Sequence, residues 1–465
     1  MRILDYFQGI SLTPEQNIAL GQINEFLHSQ CPIFILKGYA GSGKTTILKG
    51  LVEYLESVEK DYMLMAPTGR AAKVIREKTG KEAFTIHKSI YSYEEMIDIE
   101  EGNSFFYYFK LRNNTDVAGK IFIVDESSMI SDTPDKSASF AKFGSGELLK
   151  DLFKYDKKGK FIFVGDPCQL PPIGQNISPA LSKEYIQNHY NITVEEFELT
   201  EIVRQSSRSS IIDASVKVRE LYQNNPPVKF ASFPLKNHPD IEIHSSHVSL
   251  LNSYIAQIRE NGFEHSTLIS QTNRHCSDLN KIIRNTLEKQ STQLEPGDIL
   301  MVTQNNYLTT LVNGDVVEVL QTGQKEYRCG LSFVKVHVRE LSSGETYSVL
   351  LIEDILYSMS TNLNNKQHKD LMIDYYHRMK SNGISQKDRA FKDRMLTDPY
   401  LNGLKAVFGY ALTCHKSQGG EWNEVFLYLD NSIHGIPKPG IYQWLYTAVT
   451  RARVRLHVVN DWFIK

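Results

Sequence analysis

The chain has 465 residues, 41% hydrophobic and 23% charged, with a net charge of −2. These values are ordinary for a soluble globular protein of two to four domains. They exclude a global basic signature for nucleic acid, so any DNA or RNA binding must rest on local basic surface and on aromatic residues. The five cysteines (Cys31, Cys168, Cys276, Cys329, Cys414) are scattered, with no C-x-x-C pair. That argues against a zinc site and a disulfide framework and suits a reducing cytosol. Met1 to Asp5 shows no signal-peptide pattern, and no apolar run approaches the roughly 18 residues of a membrane span.

The first element is a helix. Thr13 can cap it with Pro14 at its first position, and the pattern runs to about His28 with Ile18, Ile23 and Leu27 on the buried face. Gln16 lies at its start, where an amide offers a donor and an acceptor to the edge of adenine. A surface glutamine is the alternative. The apolar run from Ile33 to Leu36 then reads as a buried strand. Gly38, four residues, Gly43, Lys44 and Thr45 follow with phosphate-loop spacing, ahead of a helix-compatible run to Leu55. Gly38, Gly41 and Gly43 let backbone N–H groups close around an anion, with Ala40, Ser42 and Thr46 in the same loop. The helix N-terminus adds positive potential. Lys44 would reach the β- and γ-phosphates, and the Thr45 hydroxyl would hold Mg²⁺.

Tyr62 to Ala66 is a second strand, running into Pro67-Thr68-Gly69-Arg70 and another helix. Ligands bind at the carboxyl ends of strands in open α/β sheets. Thr68, Gly69 and Arg70 are therefore placed to touch a phosphate backbone; a capped helix start with a solvated arginine is the alternative. Thr85-Ile86-His87-Lys88 is polar and basic, and His87 joins them as a candidate DNA contact. Tyr91 to Ala118 breaks the α/β rhythm. Within it, Phe105 to Lys110 reads as a strand with aromatics on both faces. Such a ribbon either docks on the main domain or projects toward a partner. Phe105 and Phe106 could stack on bases or pack as core.

Lys120 to Val124 is a buried strand ending in Asp125 and Glu126. Alternation would point these carboxylates to opposite sides and so give them different tasks. Asp125 suits Mg²⁺, shared with Thr45. Glu126 suits polarising the attacking water. Phe161 to Asp166 is a further buried strand, leading to Gln169, which could orient that water or sense the γ-phosphate. Arg204, after Leu199-Thr200, has the planar fork and permanent charge to neutralise a γ-phosphate.

The series GYAGSGKT, APTGRAAK, TIH, IVDESSM, GDPCQLPP and ELTEIVRQ, in this order, resembles the superfamily 1 helicases, most nearly their RecD-like and Dda-like branch. Lys44, Asp125 with Glu126, Gln169 and Arg204 match that family's phosphate-loop lysine, D-E pair, glutamine after G-D and arginine after L-T. Leu12, Thr13 and Gln16 resemble its adenine motif.

A second domain should begin near Ser206, with a helical stretch from Ile211 to Tyr222. Ser266 to Ser270 is a strand entering a polar loop with Thr272 and Asn273, the pattern of the first domain again. The resemblance implies a second RecA-like fold without its own P-loop. From Glu295, short strands at close spacing with Gly turns argue a small β-barrel, and the family carries an SH3-like barrel here. Lys366 to Arg394 holds an excess of basic residues that either attracts phosphates or forms a mixed-charge solvated helix. Thr413, His415, Lys416 and Ser417 match the family's T-x-H-K-S-Q-G motif, which lines the DNA channel and the interdomain cleft. Nothing in the sequence forms a nucleophilic triad with His415. Gly420 and Glu421 fit a ribose-binding pattern. Arg451, in Y-T-A-V-T-R-A, matches the arginine finger.

The fold expected is α/β: two RecA-like P-loop domains, with a small β-ribbon insertion in the first and an SH3-like β-barrel insertion in the second. The expected boundaries are 1–87 with 119–205 for the first domain and 88–118 for the ribbon, a candidate pin. The second domain would take 206–294 with 405–465, and the barrel with its extension 295–404. The resemblance implies an ATP- and Mg²⁺-dependent, single-stranded-DNA-stimulated ATPase that translocates 5′→3′ and separates duplexes in replication, repair or recombination. Its partners would be single-stranded and forked or duplex DNA, with replication or recombination proteins. It would be a cytoplasmic or nucleoid-associated monomer without membrane contact. An ATP-gated loader that does not unwind, or an RNA helicase, would keep the same ATP site.

Overall fold

The computed structural model describes residues 3–7, 11–99, 104–113, 119–134, 141–203, 209–289, 292–306 and 308–465; the side chains of 93–99, 104–107 and 141 lie outside that description. The first domain is built on a six-stranded sheet. Its order is Ala83–Thr85, Tyr62–Ala66, Ile121–Val124, Lys160–Gly165, Ile33–Gly38 and Val194–Leu199. Every neighbouring pair is parallel. A parallel sheet needs cover on both faces, so its strands read as apolar runs. One face packs on the helices Pro14–His28, Lys44–Ser57 and Gly69–Thr79, through Leu20, Ile23, Ile47, Leu51 and Ile75. The other packs on Ile86, Leu149, Leu152 and Leu181. The order sets three strand ends side by side. Gly38, Asp125 and Asp166 therefore emerge over one edge of the sheet.

Pro14–His28 forms as expected, with Thr13 and Gln16 making a reciprocal capping box. Its buried face differs: Gln16, Ala19, Leu20, Ile23 and Phe26 turn inward, while Ile18 is 52% exposed. The i, i+3, i+4 stripe starts at Gln16 rather than at Ile18.

The second domain has a five-stranded parallel sheet, ordered Ile241–His244, Ala452–Val459, Trp422–Leu427, Ser266–Ser270 and Ala411–Thr413. The buried helix Gly440–Val449 lies between this sheet and the first domain. Tyr39, Cys168 and Leu170 of the first domain belong to that same apolar core. The two halves thus meet across a dry base rather than through a linker alone.

Between strands of the second domain lies an antiparallel sheet, ordered Thr346–Ile352, Leu331–Glu340, Val316–Arg328, Ile299–Val302 and Ala406–Phe408. Its two edges curl toward each other: Leu351 bridges Leu404, and Leu404 N–H donates to Leu350 O at 2.7 Å. The helices Asn365–Ser381 and Arg389–Thr397 extend it. Arg378 pairs with Asp374 and Asp398, and Arg328 with Asp374, so Arg378 is held by carboxylates of its own neighbourhood. Close to the first domain, Tyr91–Ile99 and Ser104–Leu111 form an antiparallel ribbon, with Ala141–Phe143 as an unforeseen third strand. Tyr91, Phe109 and Phe143 dock its base on the domain.

Candidate active site at the interdomain cleft

Gly41 and Gly43 hold φ of +79° and +81°, left-handed values that glycine takes without cost. Any side chain at Gly43 would also strike the Gln16 amide, 2.2 Å from where its Cβ would stand. The loop then turns into Lys44–Ser57, whose first N–H groups carry no capping side chain. Loop, Lys44, Thr45 and Thr46 line one wall of a cavity of about 630 Å³. Lys44 Nζ lies on the carbonyls of Gly38 and Tyr39, at 2.6 and 3.0 Å. It forms no ion pair among the described residues.

Asp125 and Glu126 lie beyond the strand end, and this corrects the alternation argument. Glu126 adopts φ 52°, ψ 36° and caps the turn Ser127–Met129. That left-handed residue swings both carboxylates onto the same cavity wall. Glu126 N–H donates to Asp125 Oδ1 at 2.9 Å. Burial raises both carboxyls above the ordinary range; Glu126 is raised further by Asp125, and Lys44 offsets each only in part. A desolvated carboxylate beside a threonine hydroxyl is a hard oxygen donor set, and Asp125 with Thr45 fits Mg²⁺. Gln169 stands on the same wall, 5% exposed, and its Oε1 is buried without a partner among the described residues.

The opposite wall comes from the second domain. Arg451 is 5% exposed. Its guanidinium donates to Thr447 O at 3.0 Å, Gly420 O at 3.2 Å and Thr450 Oγ1 at 3.3 Å. Among the described residues no carboxylate forms an ion pair with it, though its charge acts on the carboxyls of Glu126, Asp166 and Glu421. Glu421 pairs with Arg453 at 2.8 Å and lies 3.9 Å from Lys78. These cations hold its carboxyl below the usual range against the opposing effect of burial. Arg204 lies outside the described residues. Its neighbour Val203 donates its N–H to Gly41 O at 3.0 Å.

Several contacts close the cleft that sequence reasoning missed. Tyr446 accepts the Ala40 N–H at 3.0 Å and donates to Asp166 Oδ2 at 2.8 Å. Leu170 N–H donates to Thr447 Oγ1 at 2.9 Å, and Gln418 Nε2 to Leu170 O at 3.0 Å. Tyr446 and Thr447 stood inside the same run as Arg451. Only the arginine carried a charge to draw attention.

Three expectations change. Gln16 does not stand open to an adenine. Its Oε1 accepts from Thr13 N–H and its Nε2 donates to Ser42 O, both at 3.0 Å, so it props the phosphate loop from beneath. The L-T-x-x-Q spacing is a capping box. Thr68, Gly69 and Arg70 do not face open surface. Thr68 caps its helix at 3.2 Å and Gly69 abuts Val312, in the loop before strand Val316–Arg328 of the insertion. Arg70 lies 4.4 Å over the Trp422 ring. Burial pushes its guanidinium down to about 10, with Asp315 opposing. Ser417 is fully buried, its hydroxyl bonded to Cys414 O at 2.8 Å.

Other DNA candidates gather elsewhere. Asn273, Thr413 and Lys416 line a second cavity of about 290 Å³ with Tyr357 and Met359 of the insertion. Thr272 is exposed and caps the helix Asn273–Thr286 at 3.1 Å. His415 is half-buried and has no hydrogen-bonded partner for its ring among the described residues, so no triad forms. His87 packs edge-on against Phe143 at 4.9 Å, at the base of the ribbon. The side chains of Phe105 and Phe106 fall outside the described residues.

Known proteins resemble this chain in sequence and in fold. Residues 11–225 match the model of an AAA domain, and 408–459 that of a UvrD-like helicase C-terminal domain. An uncharacterized protein, R530, of Acanthamoeba polyphaga mimivirus is 25% identical over 95% of this chain and 98% of its own length. The ATP-dependent DNA helicase dda of Enterobacteria phage T4 is likewise 25% identical, over 94% of this chain and 95% of its own length. Among solved structures, a Pif1 helicase described in DNA unwinding at forked duplex DNA superposes with a TM-score of 0.52 at 17% identity. That match covers 98% of this chain and 93% of the other, and it concerns the fold.

Proposed function

We propose that this chain, which belongs to the superfamily 1 helicases of the Dda-, RecD- and Pif1-like branch, moves 5′→3′ along single-stranded DNA by closing and opening one ATP-filled cleft. It is an ATP-dependent DNA helicase. The observation that carries the reading is the shared cavity: Lys44, Asp125, Glu126 and Gln169 come from one domain, Glu421 and Arg451 from the other. In this reading Lys44 and Arg451 balance γ-phosphate charge. Thr45 and Asp125 hold Mg²⁺, which supplies charge neutralisation at the phosphates. Glu126 takes a proton from the attacking water, and Gln169 Oε1 accepts its second hydrogen. The γ-phosphate would bridge the two walls, so binding favours a closed cleft and hydrolysis releases it.

Strand contacts are proposed at Asn273, Thr413 and Lys416, and the direction rests on family membership. Where the protein acts follows from that substrate: a DNA-associated location. No helix among the described residues is long and apolar enough to cross a membrane. The direct test of the shared site is Arg451→Ala. It should retain ATP binding while losing turnover by about 10³-fold or more. Turnover near that of the unaltered protein would remove Arg451 from the site.

A further inference from the structure

The edge of the second parallel sheet gathers a donor set that the ATPase does not use. Strand Ile241–His244 pairs with Ala452–Val459 so that Glu242 lies opposite His457. His244, two residues on, shares that face. His244 Nε2 and His457 Nδ1 are 3.1 Å apart. Glu242 Oε1 lies 3.7 Å from His244 Nε2, and Oε2 lies 3.6 Å from His457 Nδ1. Ligands at 2.0–2.1 Å in a tetrahedral shell stand about 3.4 Å from one another. The two nitrogens stand close to one such edge, one carboxylate oxygen stands near each nitrogen, and one donor atom from each of the three residues lies within 4.8 Å of the others.

We propose that Glu242, His244 and His457 bind one divalent transition-metal ion of the Zn²⁺ class, separate from the Mg²⁺ at the phosphates. Two imidazole nitrogens with one carboxylate favour such an ion over Mg²⁺ or Ca²⁺, which take oxygen ligands. The outer contacts agree. His457 Nε2 meets Glu424 Oε2 at 3.1 Å, and His244 Nδ1 faces Ser249 Oγ at 3.4 Å. A ring that donates its far N–H to a carboxylate or hydroxyl leaves the near nitrogen's lone pair for a metal. His457 is also fixed by stacking on Phe426, with ring centroids 4.0 Å apart and planes 5° apart. Both imidazoles are almost fully buried, which favours the neutral, ligating form.

Metal binding asks little of the protein. The His244–His457 hydrogen bond is broken, and His244 shifts its proton from Nε2 to Nδ1, where Ser249 accepts it. No proton is released. Glu242 is 46% exposed, leaving a route in from solvent and room for water at the fourth position. Arg455, 3.6 Å from Glu242 Oε2 and itself exposed, yields that oxygen. The ion would fasten the edge strand to the strand that begins just after Arg451. The cysteine argument against zinc from the sequence does not touch this site, because its donors are Glu242 and His244 with His457 brought from far along the chain.

The test uses the full chain, stripped with EDTA, without nucleotide. Zn²⁺ is followed by calorimetry, and Co²⁺ by the visible absorption of four-coordinate cobalt. One ion per chain is expected. His244→Ala should lose binding by at least 100-fold, and the exposed Glu242→Ala, which leaves the core intact, by about 10- to 100-fold. Glu424→Gln should weaken it by about 10-fold. Asp125→Asn should leave it unchanged, which separates the site from the phosphate-bound Mg²⁺. Absence of Zn²⁺ binding below about 10 µM, or equal binding by His244→Ala and Glu242→Ala, would overturn the proposal.

Discussion

The Tyr446 hydroxyl donates to Asp166 at 2.8 Å while it accepts the Ala40 N–H, so one phenol of the second domain joins two loops of the first. Asp166 is buried, and burial raises its carboxyl despite Lys44 and the Tyr446 bond. The pair sits beside the phosphate loop, at the cleft that ATP is expected to close. Tyr446→Phe keeps the ring packing and removes both bonds. It leaves Asp166 and Ala40 each short of a partner, at a cost of about 1–3 kcal/mol. DNA-stimulated turnover should fall more than basal turnover, because domain coupling is what was cut. Equal loss of both, measured by phosphate release with and without single strands, would make Tyr446 a packing residue only.

Glu126→Gln should bind ATP normally and hydrolyse it about 10²- to 10⁴-fold more slowly. Nucleotide binding by fluorescence, set against phosphate release, separates the two. In the unaltered protein the acid limb of kcat/KM should lie above the ordinary carboxylate range. Burial raises the carboxyls of Glu126 and Asp125, so the pair stays protonated to higher pH and activity appears only as pH rises through the raised values. An acid limb at the ordinary carboxylate position would contradict this.

Lys416 and Arg70 should separate sharply in DNA binding. Lys416 lines the second cavity and forms no ion pair among the described residues. Lys416→Ala should weaken single-strand binding for every sequence and reduce the salt slope by roughly 0.7. Arg70→Ala should leave single-strand affinity unchanged and lower turnover, because Arg70 stacks on Trp422 across the domains. Filter binding across a salt series reads both. A reduced salt slope for Arg70→Ala would restore it to the DNA surface.

The catalytic half of the first domain was legible because a phosphate loop and an acidic strand end are local patterns. Apolar strand, glycine spacing and Lys44-Thr45 lie in one short run. What escaped was long-range. Gln16 reads as a free amide until its capping bond to Thr13 and its bond to Ser42 are both seen. Arg70 reads as solvated until a loop of the insertion covers Gly69 through Val312. Alternation failed at Asp125–Glu126 because the strand had ended and Glu126 takes a left-handed backbone. Strand Ala141–Phe143 gave no warning, since three residues carry too little periodicity to be read.

The central claim, that the cleft drives strand separation, is tested most directly on matched forks with a 5′ tail or a 3′ tail, in DNA and in RNA, with ATP and Mg²⁺. The 5′-tailed DNA fork should be unwound, the 3′-tailed fork left intact and RNA spared. ATP hydrolysis stimulated by single-stranded DNA, with no strand separation on any fork, would contradict the account.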